Sequence, residues 1–302
     1  MRYIYFDNQK ISKLSLGTVQ FGLDYGIANK HGKPSQESVN SVIDYLYKSG
    51  INCFDTAQEY GNSEEVLGKA LNGKNDIFIV SKIKSNLFKE SLESSVEKSL
   101  INLNRKEIFG LLLHDSELLY DWHNDYTNLI DNLKKSKKIK YFGVSIYSDE
   151  DFQRAISNES IQIIQIPFNI FDQRAISESW LQMAKEKNKL IFIRSIFLQG
   201  LFFIQPDLLG GNLKQAKSYL LRLNNIASEL NMSISELAIS FVNSVADDSV
   251  LLFGCDTITQ AKENIENFNN MVVLDDTKTE YLRKSFSNIP DEIINPTLWR
   301  KG

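Results

Sequence analysis

The sequence holds only two cysteines, three histidines and five prolines in 302 residues, and no apolar run reaches the length of a membrane span. Cys53 and Cys255 both sit in apolar, strand-like surroundings. Two thiols cannot build a disulfide framework, and they fit a reducing, cytoplasmic setting. The first ten residues, MRYIYFDNQK, lack the apolar core of a secretory signal, so no membrane or secreted location is expected. Two Asn-x-Ser triplets, at Asn158 and Asn231, carry little weight without such a signal. Neither HExxH nor CxxC occurs, and no metal site is expected. The glycine fingerprint of doubly wound dinucleotide domains is also missing. Its nearest phosphate-loop look-alike, GKALNGKN (68–75), lacks a Ser or Thr after the lysine and closes a helix instead of opening one. A net charge of -4 excludes nucleic acid and anionic membrane as main partners. His31, in the turn-like NKHGKP, and His123, in a polar loop, read as surface residues.

What is present is an alternation. Eight short apolar runs read as strands: 14–19, 51–55, 77–81, 109–113, 140–145, 161–166, 190–195 and 250–254. Their nearly continuous apolarity indicates burial on both faces, as in a parallel sheet covered by helices. Between them lie amphipathic segments. SQESVNSVIDYLYKSG places Val39, Val42, Ile43 and Leu46 on one stripe, with Ser35 as N-cap and Gly50 at its end. The segments at 63–71, 91–103, 126–139 and 177–188 repeat the theme. With no linker and no internal repeat, the pattern predicts one α/β domain over 1–302, a (β/α)8 TIM barrel. Residues 1–13 alternate like a β-hairpin placed to plug the barrel bottom. The span 196–248 predicts a loop and two helices, and 276–302 a further helix with an extended tail.

In such a barrel, chemistry gathers at the carboxyl ends of the strands. The second strand ends at Asp55 with Tyr60 in the following loop, the third at Ser81-Lys82, and the fourth runs into His114-Asp115. Taken singly, each is more often innocent: a strand-end Asp is usually a cap, a loop Tyr packing, a strand-end Lys solvated, a His structural. All four on three consecutive strands indicate a shared pocket. A hydride reduction of a carbonyl needs a proton donor at the oxygen, and a free tyrosine with a pKa of roughly 10 is sluggish in that role. Lys82 as a neighbouring cation would draw that pKa down, Asp55 would hold Lys82 charged and oriented, and a neutral His114 would orient the substrate oxygen.

At these residues the sequence resembles the aldo-keto reductases, through LGTVQFG (16–22), GINCFDTAQEYGNSEEVLGKAL (50–71), IVSKI, LLLHDSE, KKIKYFGVS and FGCDTITQAKENI (253–265). The resemblance implies the same roles: Tyr60 as general acid, Lys82 and Asp55 as its tuning pair, His114 as orienter. It implies an extended nicotinamide dinucleotide over the barrel mouth. Ser145 and Gln165 would meet the nicotinamide carboxamide, and the 254–264 stretch, with Gly254, Asp256 and Gln260, the adenosine phosphate end, with Glu263 and Asn264 near the adenine; Gly17, Thr18, Arg194, Ser195 and Gly200 are further cofactor-binding residues it implies. Four positions depart from the family pattern. Ile146 stands where many members have Asn, and Arg194 where an aromatic usually stacks on nicotinamide. Gly254 and Gln260 replace the Lys and Arg that grip a 2′-phosphate. NADP(H) is nonetheless favoured, with NAD(H) as the alternative. Substrate-wall residues are expected at Tyr25, Trp122, Phe197 and Trp299. The start LGTVQFGLDYGI and the ending INPTLW resemble a branch associated with bacterial surface-polysaccharide synthesis, which implies a keto-sugar, free or nucleotide-linked.

Two other readings compete. One is a nicotinamide-binding sensor with little turnover, against which the intact tetrad argues. The other is a barrel isomerase or lyase, for which no metal-ligand cluster exists; an imine at Lys82 is opposed by pairing with Asp55. A small-molecule carbonyl partner and a monomer or weak homo-oligomer are expected.

Overall fold

The computed structural model describes residues 1–27, 29 and 32–300; His31 lies outside the described residues. Ten strands occur among them: β1 Tyr3–Phe6, β2 Gln9–Ser12, β3 Leu14–Gly17, β4 Cys53–Asp55, β5 Phe78–Ile83, β6 Ile108–Leu113, β7 Ile139–Ser145, β8 Ile163–Pro167, β9 Leu190–Arg194 and β10 Val250–Phe253. Strands β3 to β10 are parallel and close into a barrel, with β10 paired to β3. The predicted (β/α)8 architecture is the observed one.

Two cores follow from the period-two alternation of strand side chains. The outward set, including Leu16, Phe54, Ile79, Leu111, Val144 and Ile193, packs with the helix stripes in one continuous cluster. Helix Gln36–Lys48 contributes Val39, Val42, Ile43 and Leu46, is capped by Ser35 accepting from the Ser38 amide, and is followed by Gly50 at φ +91°. Each fully buried aliphatic side chain of this kind contributes about 1.5–3 kcal/mol. The inward set, Cys53, Val80, Leu112, Ile163, Phe192 and Leu252, fills the barrel interior. One pleat above these apolar residues stand Asp55, Lys82, His114, Gln165, Arg194 and Gly254. The alternation that packs the barrel therefore also aims the polar residues at its mouth.

The hairpin β1–β2 is antiparallel and turns at Asp7 and Asn8, both with positive φ (45° and 60°), as a tight two-residue loop requires. Ile4, Phe6 and Ile11 join the interior cluster, so the hairpin seals the amino-terminal end as expected. The Tyr141 hydroxyl donates to Asp7 Oδ2 at 2.7 Å and ties the plug to the barrel.

Some predicted boundaries shift. The first barrel strand stops at Gly17, because the Thr18 amide and hydroxyl both donate to the Asp55 carbonyl, and the chain turns into the short helix Val19–Gly22. Strand β5 runs on to Ile83, which puts Lys82 inside the sheet. The helix predicted over 91–103 begins at Ser85, with its geometry broken at Ser91. Helices Asp149–Ser157 and Ile258–Asn270 complete the ring, and 196–248 holds three 3-10 turns before helices Lys217–Glu229 and Ile234–Val245. The tail adds helices Asp276–Ser285 and Asp291–Ile294. No helix among the described residues is long and apolar enough to cross a membrane.

Candidate active site

Asp55, at the end of β4, is 3% exposed, and Lys82, in β5, is 1% exposed. Lys82 Nζ lies 2.6 Å from Asp55 Oδ1 and also donates to the Thr56 carbonyl at 3.0 Å. The second carboxylate oxygen accepts from Gln165 Nε2 at 2.8 Å, across the barrel from β8. A buried charge is tolerable only when paired and hydrogen-bonded, and this pair meets both conditions. Burial holds the Lys82 ammonium below its ordinary pKa range while Asp55 pulls it back up.

Tyr60 lies beside this pair, its ring centroid 5.1 Å from Lys82 Nζ and 5.4 Å from the His114 ring, which meets it edge-on at 81°. The loop carrying Tyr60 is fixed by a hydroxyl hub. Ser63 Oγ contacts Thr18 Oγ1 at 2.8 Å and Thr56 Oγ1 at 3.1 Å, and donates to the Thr18 carbonyl at 2.7 Å. It is also fixed by a close backbone crossing: a Cβ on Gly22 would stand 1.7 Å from the Tyr60 carbonyl oxygen.

The electrostatics correct one expectation. Lys82 was expected to draw the Tyr60 pKa down, yet burial pushes the phenol well above its ordinary range, and the Asp55 charge adds to this. The physical reason is the near-complete burial of the phenol, which disfavours its charged form. His114 is pushed down to about 4, first by burial and then by the Lys82 charge, so it is neutral near pH 7 as expected.

Tyr60 and His114 open into a cavity of about 590 Å³. Of the residues singled out from sequence, Gly17, Thr18, Tyr25, Asp55, Ser145, Gln165, Arg194, Ser195, Phe197, Gly200, Gly254, Asp256, Gln260, Glu263 and Asn264 also line it. Lys82 lies beneath its floor. Trp122 and Trp299 are not among the lining residues. The Trp122 ring packs on Tyr126 and Phe142, and Trp299 Nε1 donates to the Ile293 carbonyl at 3.0 Å. Ile146, the departure from Asn, is fully buried in the outer core.

Arg194 is not free to swing. Its Cζ sits 4.0 Å from the Tyr147 ring centroid, and Nη2 donates to the Ile146 carbonyl at 3.0 Å. Gln260 is likewise engaged, its Oε1 accepting from the Asp256 amide at 2.6 Å. Sequence reasoning missed Tyr147 and Gln20, both of which line the cavity. Each follows a barrel strand closely, which was the available signal. Gln20 packs over Gly254: a Cβ there would lie 2.1 Å from Gln20 Nε2 and would push that side chain aside. The 195–200 wall is conformationally strained, with positive φ at Ser195, Leu198 and Gln199, as is common where backbone shapes a site.

The cavity fits a dinucleotide. Its lining includes both Tyr60 and Asn264, and Gln20 Oε1 is buried in it without a partner, an acceptor open to a ligand donor. Among the described residues no group of three or more His, Cys, Asp or Glu could hold a metal ion.

Comparison with known proteins bears on the family and the fold. The sequence profile described as the Aldo/keto reductase family matches residues 13–285. An uncharacterized oxidoreductase of Bacillus subtilis is 24% identical over 283 residues, covering 86% of this chain and 88% of that one. Among solved structures, an aldo-keto reductase of Bacillus halodurans in its holo form superposes with TM-score 0.77 at 21% identity, over 94% of this chain and 95% of that one. An aldo/keto reductase of Klebsiella pneumoniae, solved in complex with NADP and acetate, gives 0.70 at 19% identity, over 94% and 95%. The chain belongs to the aldo/keto reductase family. It is, as a class, an NAD(P)-dependent oxidoreductase.

Proposed function

We propose that the protein reduces an aldehyde or ketone to an alcohol, with Tyr60 delivering the proton to the carbonyl oxygen. The observation that carries this reading is the meeting of Tyr60 and His114 at the inner end of the cavity, over the buried Lys82–Asp55 pair. A bound nicotinamide dinucleotide supplies the hydride. A phenol raised by burial is fully protonated at neutral pH, as a donor must be. As the proton leaves, negative charge develops on the Tyr60 oxygen beside the Lys82 ammonium, which stabilises it in a water-poor site. Asp55, bridged to Lys82 and Gln165, keeps that ammonium in place. His114, neutral, directs a hydrogen bond at the substrate oxygen and fixes its angle of approach.

NADP(H) is the proposed donor, supported by the NADP named in the Klebsiella structure. NAD(H) is the alternative, favoured by the far end of the cavity. There the described lining carries Asp256 and Glu263 but no lysine or arginine to meet a 2′-phosphate. For substrate, phenols of Tyr25 and Tyr147 beside the Phe197 ring suit a hydroxylated carbonyl compound, and the proposed class is a keto-sugar.

A fluorescence titration with NADPH and NADH, followed by a carbonyl panel including keto-sugars, tests the reading. Binding with turnover is expected. Failure to bind either dinucleotide sinks it.

A further inference from the structure

The one-turn helix Val19–Gly22 is pinned on two sides. At its end, an added Gly22 Cβ would stand 1.7 Å from the Tyr60 carbonyl oxygen. Two residues earlier, Gln20 Nε2 lies 2.1 Å from the place of an added Gly254 Cβ. This single turn therefore reaches from the loop of Tyr60 to the first residue after β10. From Gly254 the cavity wall continues onto helix Ile258–Asn270, at Gln260, Glu263 and Asn264. A ligand stretching from Tyr60 to that helix passes Gln20, which itself lines the cavity.

Among the described residues nothing bonds to the Gln20 carboxamide. Oε1 is buried without a partner, and Nε2 has none either. Other amides of the cavity are committed: Gln165 donates to Asp55, Gln260 Oε1 accepts from the Asp256 amide, and Asn264 donates to the Gln260 carbonyl. A buried acceptor left unpaired carries a desolvation penalty that a ligand donor relieves. A carboxamide offers an acceptor and two donors side by side. The middle of a nicotinamide dinucleotide, two riboses joined by a pyrophosphate, offers hydroxyl donors and phosphate acceptors in the same way. Gly254 does not have a positive φ, so its backbone admits alanine. What a Cβ there would displace is the free end of the Gln20 side chain.

We infer that Gln20 binds the middle of the dinucleotide, its buried Oε1 accepting from a ribose hydroxyl, and that the bare Cα of Gly254 is the seat on which its amide rests. This rests on the dinucleotide of the reductase reading and deepens it. A hydroxylated substrate offers the same donors, so the experiment separates the two sources.

The full chain is titrated with NADPH and with NADH by fluorescence, without substrate. Wild type is compared with Gln20→Ala, Gly254→Ala and the double variant, each at a urea midpoint close to wild type. Each single change is expected to weaken binding about tenfold, the loss of one hydrogen bond. The double variant is expected to lose about tenfold as well, because the new Cβ then has no amide to displace. Gln20→Glu should weaken binding more than Gln20→Ala, since it sets a carboxylate against the phosphates. Wild-type affinity in Gln20→Ala or in Gln20→Glu overturns the inference. A double variant weakened about a hundredfold, the product of independent losses, overturns the seat at Gly254. Unmoved dinucleotide affinity with a raised KM for glyceraldehyde, but not for propanal, would overturn it in favour of a substrate hydroxyl. Failure of the dinucleotide reading has a different signature: the wild type itself binds neither NADPH nor NADH, which sinks the two together.

Discussion

Replacing Gly22 by alanine should damage catalysis from a position that touches neither substrate nor cofactor. The added Cβ would stand 1.7 Å from the Tyr60 carbonyl oxygen and 2.8 Å from the Ser63 amide nitrogen. Ordinary contact begins at 3.4 Å, so half the required separation is missing, and the obstacle is backbone instead of a flexible side-chain end. The Tyr60 loop cannot yield at small cost, since Ser63 is bound to both Thr18 and Thr56, and a Cβ on Gly61 would itself meet the Gly22 oxygen at 2.5 Å. Overpacking of this kind costs about 1–3 kcal/mol. A reacting group misplaced by about 1 Å loses on the order of a hundredfold in rate. The expected result is a urea midpoint lowered by an amount matching that stability loss, with kcat down about a hundredfold under conditions where the variant is fully folded. Gly73→Ala is the control. Nothing lies within 4 Å of its added Cβ, but its φ of +76° strains any side chain, so it should lose about 1 kcal/mol and keep its kcat. Wild-type turnover by folded Gly22→Ala would refute the claim that this crossing positions Tyr60.

Three further outcomes can be checked. Tyr60→Phe should lower kcat by about 10²–10⁴-fold while NADPH affinity measured by fluorescence stays close to wild type, and rapid turnover would remove Tyr60 from the acid role. Lys82→Met should lose most activity near neutral pH and about 3–5 kcal/mol of stability, because Asp55 is left buried without its cation; adding Asp55→Leu should recover part of the stability but none of the activity. An unchanged pH profile for Lys82→Met would end the proposed role of its ammonium. His114 predicts a pH signature with a definite sign. The unfolded chain binds its proton below about 6.5 and the native site only near 4, so this residue's contribution to stability falls as pH drops from about 6.5 towards 4. The kcat/KM profile should accordingly show no histidine limb between pH 5 and 8, and a limb near 6.5 would contradict the buried neutral imidazole.

The residues that proved legible were those whose placement strand geometry dictates. Asp55, Lys82, Gln165 and Arg194 are polar side chains in or ending otherwise apolar strands. The same alternation that buries Cys53, Val80, Ile163 and Phe192 inside the barrel points them at its mouth. Loop aromatics offered no such constraint. Trp122 and Phe197 look equivalent as composition, yet one packs on Tyr126 and Phe142 and the other lines the cavity, a choice made by tertiary packing. Gln20 and Tyr147 escaped notice because both lie just past the strand ends, Gln20 in the short helix Val19–Gly22 and Tyr147 two residues after β7, where strand alternation no longer says which way a side chain points. The sign of the Tyr60 shift was also out of reach. It depends first on how deeply the phenol is buried, which only the folded packing decides.

The hairpin at the amino-terminal end gives the barrel a single door. With Ile4, Phe6 and Ile11 filling its base, the ammonium of Lys82 and the carboxylate of Asp55 meet solvent only through the mouth. Whatever lies across that mouth during reaction is also its stopper. In the proposed reaction, the proton given up by Tyr60 would be replaced from bulk water only once something departs, so recharging the acid and releasing product would become one event. The proposed turnover would then run as a lock, filled and emptied from the same side.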